Sequence, residues 1–304
     1  MSNQSESAKQ FSGIGLAVLA TFIWSGNFIV AKAVNQQIPP ISLNFYRWLT
    51  ASLVLLPFAW RLFRAQWKTV VQRWPYFFWI SLTGISLFNT FVYAGAHYTS
   101  AINLALIGTT SSPILSILLA RIFLHERIGL LKMAGLLICI SGVLFLLSKG
   151  KWENLQRLHF STGDLWVLAA AFCFSIYNTM VKKKPATVSP LNFLFTVFSL
   201  GTLMLVPAWL WEIRQYPPVA WDYRLLLEIL YLGLGASVIC FFIWNIAISK
   251  LGAGRTALFG NLIPIFSSIG AALLLHEEFT LVHVTSMTLV FIGIILANWR
   301  LRQV

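Results

Sequence analysis

Ten runs of mostly apolar residues follow one another along this 304-residue chain, at about 12–33, 43–62, 75–95, 99–121, 128–148, 163–182, 189–211, 224–247, 253–275 and 280–300. An α-helix rises 1.5 Å per residue, so about 20 residues cross a hydrocarbon core roughly 30 Å thick. In lipid the backbone has no water to bond, and a helix satisfies it internally. The longest linkers, 62–74 and 149–162, are too short for a soluble domain. Only 10% of the residues are charged, against roughly 25% in soluble domains. The expected fold class is an all-α integral membrane protein with ten transmembrane helices. The run 12–33 is too long, and with Trp24 and Asn27 too polar at its far end, for a signal-peptide core. It is expected to remain as a helix behind a polar tail, residues 1–11.

The net charge of +13 raises the question of nucleic acid. That reading needs basic residues clustered on a folded surface, and here they occupy short gaps between apolar runs. They fit cytoplasmic loops beside anionic headgroups instead, and no nucleic-acid partner is expected. With ten spans and a cytoplasmic N-terminus, fifteen of the 22 Lys and Arg fall inside and seven outside. Among the seven are Lys32 and Arg47, near the outer ends of helices 1 and 2, where snorkelling accounts for them. One of them could instead attract an anionic substrate. The bias places both termini in the cytoplasm and the chain in the cell's inner (plasma) membrane.

The chain repeats itself. "PILSILLARIFLHER" begins at Pro113 and "PIFSSIGAALLLHEE" at Pro264. Shifted by 150 or 151 residues, Gly13 meets Gly163, Lys32 meets Lys182, Pro57 meets Pro207, Gly84 meets Gly235, Glu126 meets Glu277 and Gly142 meets Gly293. The expected units are 12–148 and 163–300, joined by 149–162. Five helices per unit is odd, so the second copy enters the membrane from the opposite side. Two inverted five-helix repeats are an architecture that many secondary transporters use for alternating access.

The stretches Tyr98–Ile128 and Leu251–Phe279, with "GLAVLATFIWSGNFIVAK" at Gly15–Lys32, resemble the drug/metabolite transporter superfamily, EamA type. The resemblance covers nearly the whole chain. It implies ten helices, a central substrate cavity between the halves, and movement of small metabolites, often outward.

Polar groups in hydrocarbon are costly and face a bundle interior or a wet cavity. Ser86, Asn89 and Tyr93 stand at i, i+3, i+7 on the third helix, and Ser237, Cys240 and Trp244 repeat the spacing on the eighth. Trp24 and Asn27 share a face of the first helix; Phe174 and Tyr177, with Asn178 beside it, match them on the sixth. Thr110 and Asn261 each stand three residues before a proline. The expected lining is Trp24, Asn27, Asn89, Tyr93, Thr110, Tyr177, Asn178, Trp244 and Asn261, suited to a small polar or zwitterionic solute, with rings for stacking or for a cation. The bland alternative is interhelical hydrogen bonding and filler. Pro113 and Pro264 each remove a helix hydrogen bond and are read as kinks or gating hinges. Glu126 and Glu277, each at a helix end where the dipole disfavours a carboxylate, are read as structural or gate contacts; Arg121 or Arg127 could pair with the first.

No metal, cofactor or catalytic cluster is expected. "HERIG" and "HEEFT" lack the His-Glu-x-x-His spacing of zinc hydrolases. The three cysteines lie in apolar runs, and the five histidines are scattered. The expected partners are a small-molecule substrate and the lipid bilayer. Helices 5 and 10, poor in polar residues, could face lipid or the second protomer of a homodimer. The expected function is a secondary transporter or exporter of small polar metabolites, amino acids or related solutes, working by alternating access. A non-transporting structural or sensor protein is the alternative.

Overall fold

The computed structural model describes residues 2–123, 130–151, 153, 161–181, 183–251, 259–260 and 262–298. Among these the helices that carry the fold are α1 (Ser2–Ala33), α2 (Pro40–Gln72), α3 (Trp74–Ala96), α4 (Ala101–Phe123), α5 (Leu130–Leu147), α6 (Thr162–Val181) and α7 (Pro190–Gln215). They continue with α8 (Tyr223–Leu230, Tyr231–Ile239 and Cys240–Leu251 in unbroken succession), α9 (Leu262–Leu274) and α10 (Leu281–Asn298). Five of these stretches, in α1, α3, α6, α7 and α8, are long and apolar enough to span a membrane.

Helices form at the apolar runs among the described residues, with two large boundary changes, the first being that α1 begins at Ser2, within the expected tail 1–11. The expected linker 62–74 is mostly helix, because α2 continues to Gln72 and only Arg73 separates it from α3. Arg, Gln and Lys are good helix formers, so this helix outlasts its apolar stretch. Pro57 and Pro207 lie inside α2 and α7.

Two of the helix pairs that pack between the halves join equivalent helices. In α2 and α7, Ile41 and Ser42 bond Glu212, Ser52 meets Thr202 at 3.4 Å, and Gln66 bonds Ser189 and Asn192. Residue numbers rise on one helix as they fall on the other, so the pair is antiparallel. The α5–α10 pair is antiparallel as well. Gly135 lies against Gly293, the Cys139 thiol donates to the Val290 carbonyl (3.6 Å), and the Ser286 hydroxyl donates to the Gly142 carbonyl (2.8 Å). A Cβ on Gly293 would stand 2.6 Å from the Gly135 carbonyl oxygen, and one on Gly142 would stand 3.0 Å from Val290. Glycine is what lets these backbones approach. The facing surfaces of α5 and α10 are therefore spent on each other, which settles one face of helices that composition alone left to lipid or a second protomer.

Contacts between helix ends fall into two sets. At one end the turn after α1 meets the turn after α3, through Lys32 Nζ and Asn35 Nδ2 donating to the Ala96 carbonyl, both at 2.9 Å. At the other, Tyr76 at the start of α3 donates to the Met180 carbonyl near the end of α6 (3.1 Å), and Lys250 in α8 donates to Ser12 in α1 (2.6 Å).

Candidate functional site

The site is built around two irregular stretches. Leu82–Leu87 in α3 and Tyr231–Ile239 in α8 are π-helical, at positions that coincide under the 151-residue shift. A π turn disturbs the i→i−4 ladder and leaves carbonyls for other donors; such turns often mark functional sites. In α3 the Ile85 and Ser86 carbonyls accept from the buried Asn44 Nδ2 of α2 at 3.2 and 3.0 Å. In α8 the carbonyl of Ala236, the counterpart of Ile85, accepts from Trp24 Nε1 of α1 at 2.8 Å. The two copies meet the same need with different donors.

Arg47 occupies the centre of this arrangement. It lies two turns into α2 and is only 4% exposed. Its Nε donates to Ser237 Oγ of α8 at 3.0 Å. Its Nη1 faces three oxygens: Asn27 Oδ1 of α1 at 2.5 Å, and Asn89 Oδ1 and Tyr93 Oη of α3 at 3.0 and 2.7 Å. Tyr93 also donates to Asn27 Oδ1 at 3.1 Å. The guanidinium carbon stands 4.8 Å from the Trp48 ring centroid, a cation–π contact. Snorkelling at the outer end of helix 2 is thus corrected. Proximity to a helix end does not reveal which neighbours surround the side chain, and here α1, α3 and α8 enclose it. Lys32, the other cation expected near an outer helix end, is held on the Ala96 carbonyl.

The structure brings Asn27, Asn89 and Tyr93 together in one hydrogen-bonded cluster. Ser86, expected on the same stripe, turns away and donates to the Gly201 carbonyl of α7 at 3.0 Å, because it sits inside the π segment, where the 3.6-residue period fails. Trp24 and Trp244 touch each other, centroids 5.0 Å apart, with Phe241 5.6 Å from Trp24. Tyr177 is buried elsewhere, its ring stacked on Phe174 at 5.6 Å and laid over Gly84, where a Cβ would come within 2.1 Å. Asn178 is half-buried beside it. Thr110 donates into its own helix, to the Leu106 carbonyl at 2.5 Å, and faces Pro264 across a small gap. Asn261 and Glu126, with His125, Arg127 and Arg255, lie outside the described residues. Pro113 falls within α4, and Pro264 is the third residue of α9 as described. In a first turn, a missing N–H is one that the helix leaves unpaired anyway.

Sequence reasoning passed over Asn44 and Trp48, and it named Ser237 as the mate of Ser86 without carrying it into the expected lining. It read Arg47, with Lys32, as a snorkelling cation at a helix end, one of the two being open to attracting an anionic substrate. It read Ser111 and Ser112 as hydroxyls before Pro113 that could satisfy or bind what the proline frees, and it passed over Ser267 and Ser268; all four are buried on α4 and α9 without a partner among the described residues.

A largely apolar cavity of about 710 Å³ lies between α2, α7 and α8, lined in part by Leu55, Leu194, Phe198 and Val238, with the exposed Phe58 and Phe242 at its mouth. Phe198 packs on Trp48 at 4.6 Å, so the cavity wall backs onto the ring under Arg47.

Two carboxylates tie helix starts across the molecule. Glu277 follows α9, where His276 adopts a left-handed φ of 54°. Its oxygens accept from the backbone N–H of Ala101 (2.7 Å) and Ile102 (3.0 Å) at the start of α4. The carboxylate that its own helix dipole disfavours thus meets the positive end of another. Glu212, buried near the end of α7, does the same for α2, accepting from Ile41 N, Ser42 N and Ser42 Oγ at 3.1, 2.6 and 2.8 Å.

The EamA-like transporter family model matches residues 11–148 and again 161–299. The chain belongs to the EamA-like transporter family. The family's double match coincides with the internal repeat. The chain is 27% identical over 265 residues to an uncharacterized transporter of Archaeoglobus fulgidus, covering 86% of this chain and 89% of the relative. It is 26% identical over 301 residues to a probable amino-acid metabolite efflux pump of Escherichia coli K12, covering 94% and 95%. Among solved structures, a crystal structure matches with a TM-score of 0.62 over 96% of each chain at 18% identity, a likeness of fold. The protein is a multi-pass membrane protein of a transporter family, and the names of these relatives are those of transporters, not enzymes.

Proposed function

We propose that this chain exports small polar metabolites, amino acids or related solutes, by alternating access of two inverted five-helix halves, as a ten-span protein of the cell's inner membrane with both termini cytoplasmic. The observation that carries the reading is the buried Arg47 cluster, where α1, α2 and α3 of the first repeat meet α8 of the second. Inverted repeats place their substrate site near the midplane at such an interface.

Inversion is supported by the crossing pairs. Ser52 meets Thr202, 150 residues on, and Cys139 meets Val290, 151 residues on, each within an antiparallel pair. Equivalent residues that face each other on antiparallel helices lie about a twofold axis perpendicular to those helices, hence in the membrane plane. Ten alternating passes fit the two sets of end contacts, since each set joins only turns that would share a side. On that orientation Glu277 and Glu212 fasten the outer side, and the 710 Å³ cavity lies in the cytoplasmic half. The name of the Escherichia coli relative supports amino-acid metabolites as the first class to try.

The test is reconstitution of the full chain in liposomes and flux measurements with a panel of labelled amino acids. Movement of at least one, reduced by Asn27→Ala or Asn89→Ala, supports the reading. A correctly folded protein that moves none of them favours a structural or sensor role.

A further inference from the structure

Resting on that reading, we propose that Arg47 is the anchor for a single carboxylate on the transported solute. A cation taken out of water is costly unless a counter-charge or a full set of hydrogen bonds replaces its hydration. Arg47 is nearly fully buried, yet every oxygen it is bonded to is neutral: two amides, a phenol and a serine hydroxyl. Among the described residues no carboxylate pairs with it; the ion pair there is Arg224 with Glu228.

The geometry leaves one nitrogen of the guanidinium for a ligand. Nε and Nη1 are engaged by α8, α1 and α3, while Nη2 has no hydrogen-bond partner among the described residues. The guanidinium carbon lies over the Trp48 ring. With Nε and Nη1 engaged, the N–H groups of Nη2 are the charge-assisted donors left for a carboxylate oxygen. The charge count selects among anions. Among the described residues Arg47 is the one cation hydrogen-bonded within the cluster; Lys32 donates to the Ala96 carbonyl instead. One positive charge balances a monoanionic carboxylate and leaves a phosphate dianion under-neutralised. The amide and phenol oxygens around Nη1 would then orient the solute's remaining polar groups.

The proposal is tested on the purified full chain with L-phenylalanine, L-threonine and lactate, each beside its methyl ester, which keeps the body of the solute and removes the negative charge. Binding is read from thermal shift and transport from proteoliposome flux. The expectation is that acids bind at least about tenfold more tightly than their esters, a difference of one charge-assisted interaction. Arg47→Gln should erase that preference, and Arg47→Lys should keep part of it. Should Arg47→Gln fold poorly, Asn89→Asp decides: it places a carboxylate at the oxygen 3.0 Å from Nη1, so it should raise thermal stability while lowering acid affinity about tenfold or more. Parental protein that binds acids and esters alike, or binds none of the six, overturns the proposal, as does undiminished acid binding in Asn89→Asp. If acids bind through Arg47 but are not moved, the transporter reading fails and the anchor stands. If solutes are moved without regard to carboxylate or Arg47, the anchor fails and the transporter reading stands.

Discussion

Arg47 and Val197 stand at equivalent places in the two repeats, 150 residues apart, and their surroundings are opposite. Arg47 is ringed by amide, phenol and hydroxyl oxygens; Val197 is fully buried in an apolar cluster with Phe193, Phe195 and Phe198. The same contrast runs through the neighbours. Asn27, Asn89 and Tyr93 correspond to Tyr177, Cys240 and Trp244. One copy supplies most of the hydrogen-bonding groups; the other supplies rings, a thiol and, as its polar contribution, Ser237. The positions that shape backbone are kept in pairs: Gly142 with Gly293, Pro57 with Pro207, and the two π segments. The scaffold retains a symmetry that the polar centre has abandoned.

Exchanging the two environments should have the largest effect. Val197→Arg buries a cation among aromatic and aliphatic side chains, a cost of several kcal/mol, and is expected to abolish monodisperse protein on size-exclusion chromatography. Arg47→Leu, the opposite change, should still fold but lose transport. Equal yields of the two variants would show that the second site has unseen polar room.

The two ends of the α2–α7 pair offer the next test. Glu212 accepts three hydrogen bonds from the start of α2, while Gln66 accepts from Ser189 and Asn192 at the start of α7. A charged cap holds donors more tightly than a neutral one. Glu212→Ala should cost about 2–3 kcal/mol and Gln66→Ala about 1 kcal/mol, read as a larger fall in melting temperature for the first. A larger fall for Gln66→Ala would reverse the assignment of the stronger fastening.

At the centre, Asn89→Ala should weaken substrate binding about tenfold, since it strips an oxygen from the cluster. Cys240→Ala, at the equivalent place, should change it less than about twofold, because that thiol donates to the Ala20 carbonyl instead. Titration of both variants with a transported solute measures the ratio. The smallest effect belongs to Ser52→Ala. Its long contact with Thr202 is worth at most about 0.6 kcal/mol by the average for such bonds in membranes, a shift in melting temperature of a degree or two.

The helices and their duplication were legible because length, apolarity and a fixed offset are written directly in residue order. Asn27, Asn89 and Tyr93 were legible as candidates because polar side chains in a membrane are few, Asn89 and Tyr93 stand at helical spacing, and Asn27 shares a face with Trp24. Arg47 was not, since its meaning depends on which helices close around α2, and a position near a helix end gives no hint of that. The π segments were hidden for a related reason. A period of 3.6 was assumed throughout, and one altered turn moved Ser86 from the stripe with Asn89 to the α7 side. The partners of Glu277 were hidden because they are backbone amides, which every residue but proline carries.

Ser52 with Thr202, Trp48 with Phe198 and Cys139 with Val290 are each a residue facing its own counterpart. If the chain descends from a shorter one that paired with itself, each of these positions once met an identical copy. A side chain in that place had to tolerate its twin: a charge would have confronted a like charge, and a large ring would have competed with itself for room. None of the six is charged. Joining the two copies in one chain released that constraint, and the unlike pairs seen today, serine beside threonine and tryptophan beside phenylalanine, are what drift could reach once each half was inherited separately.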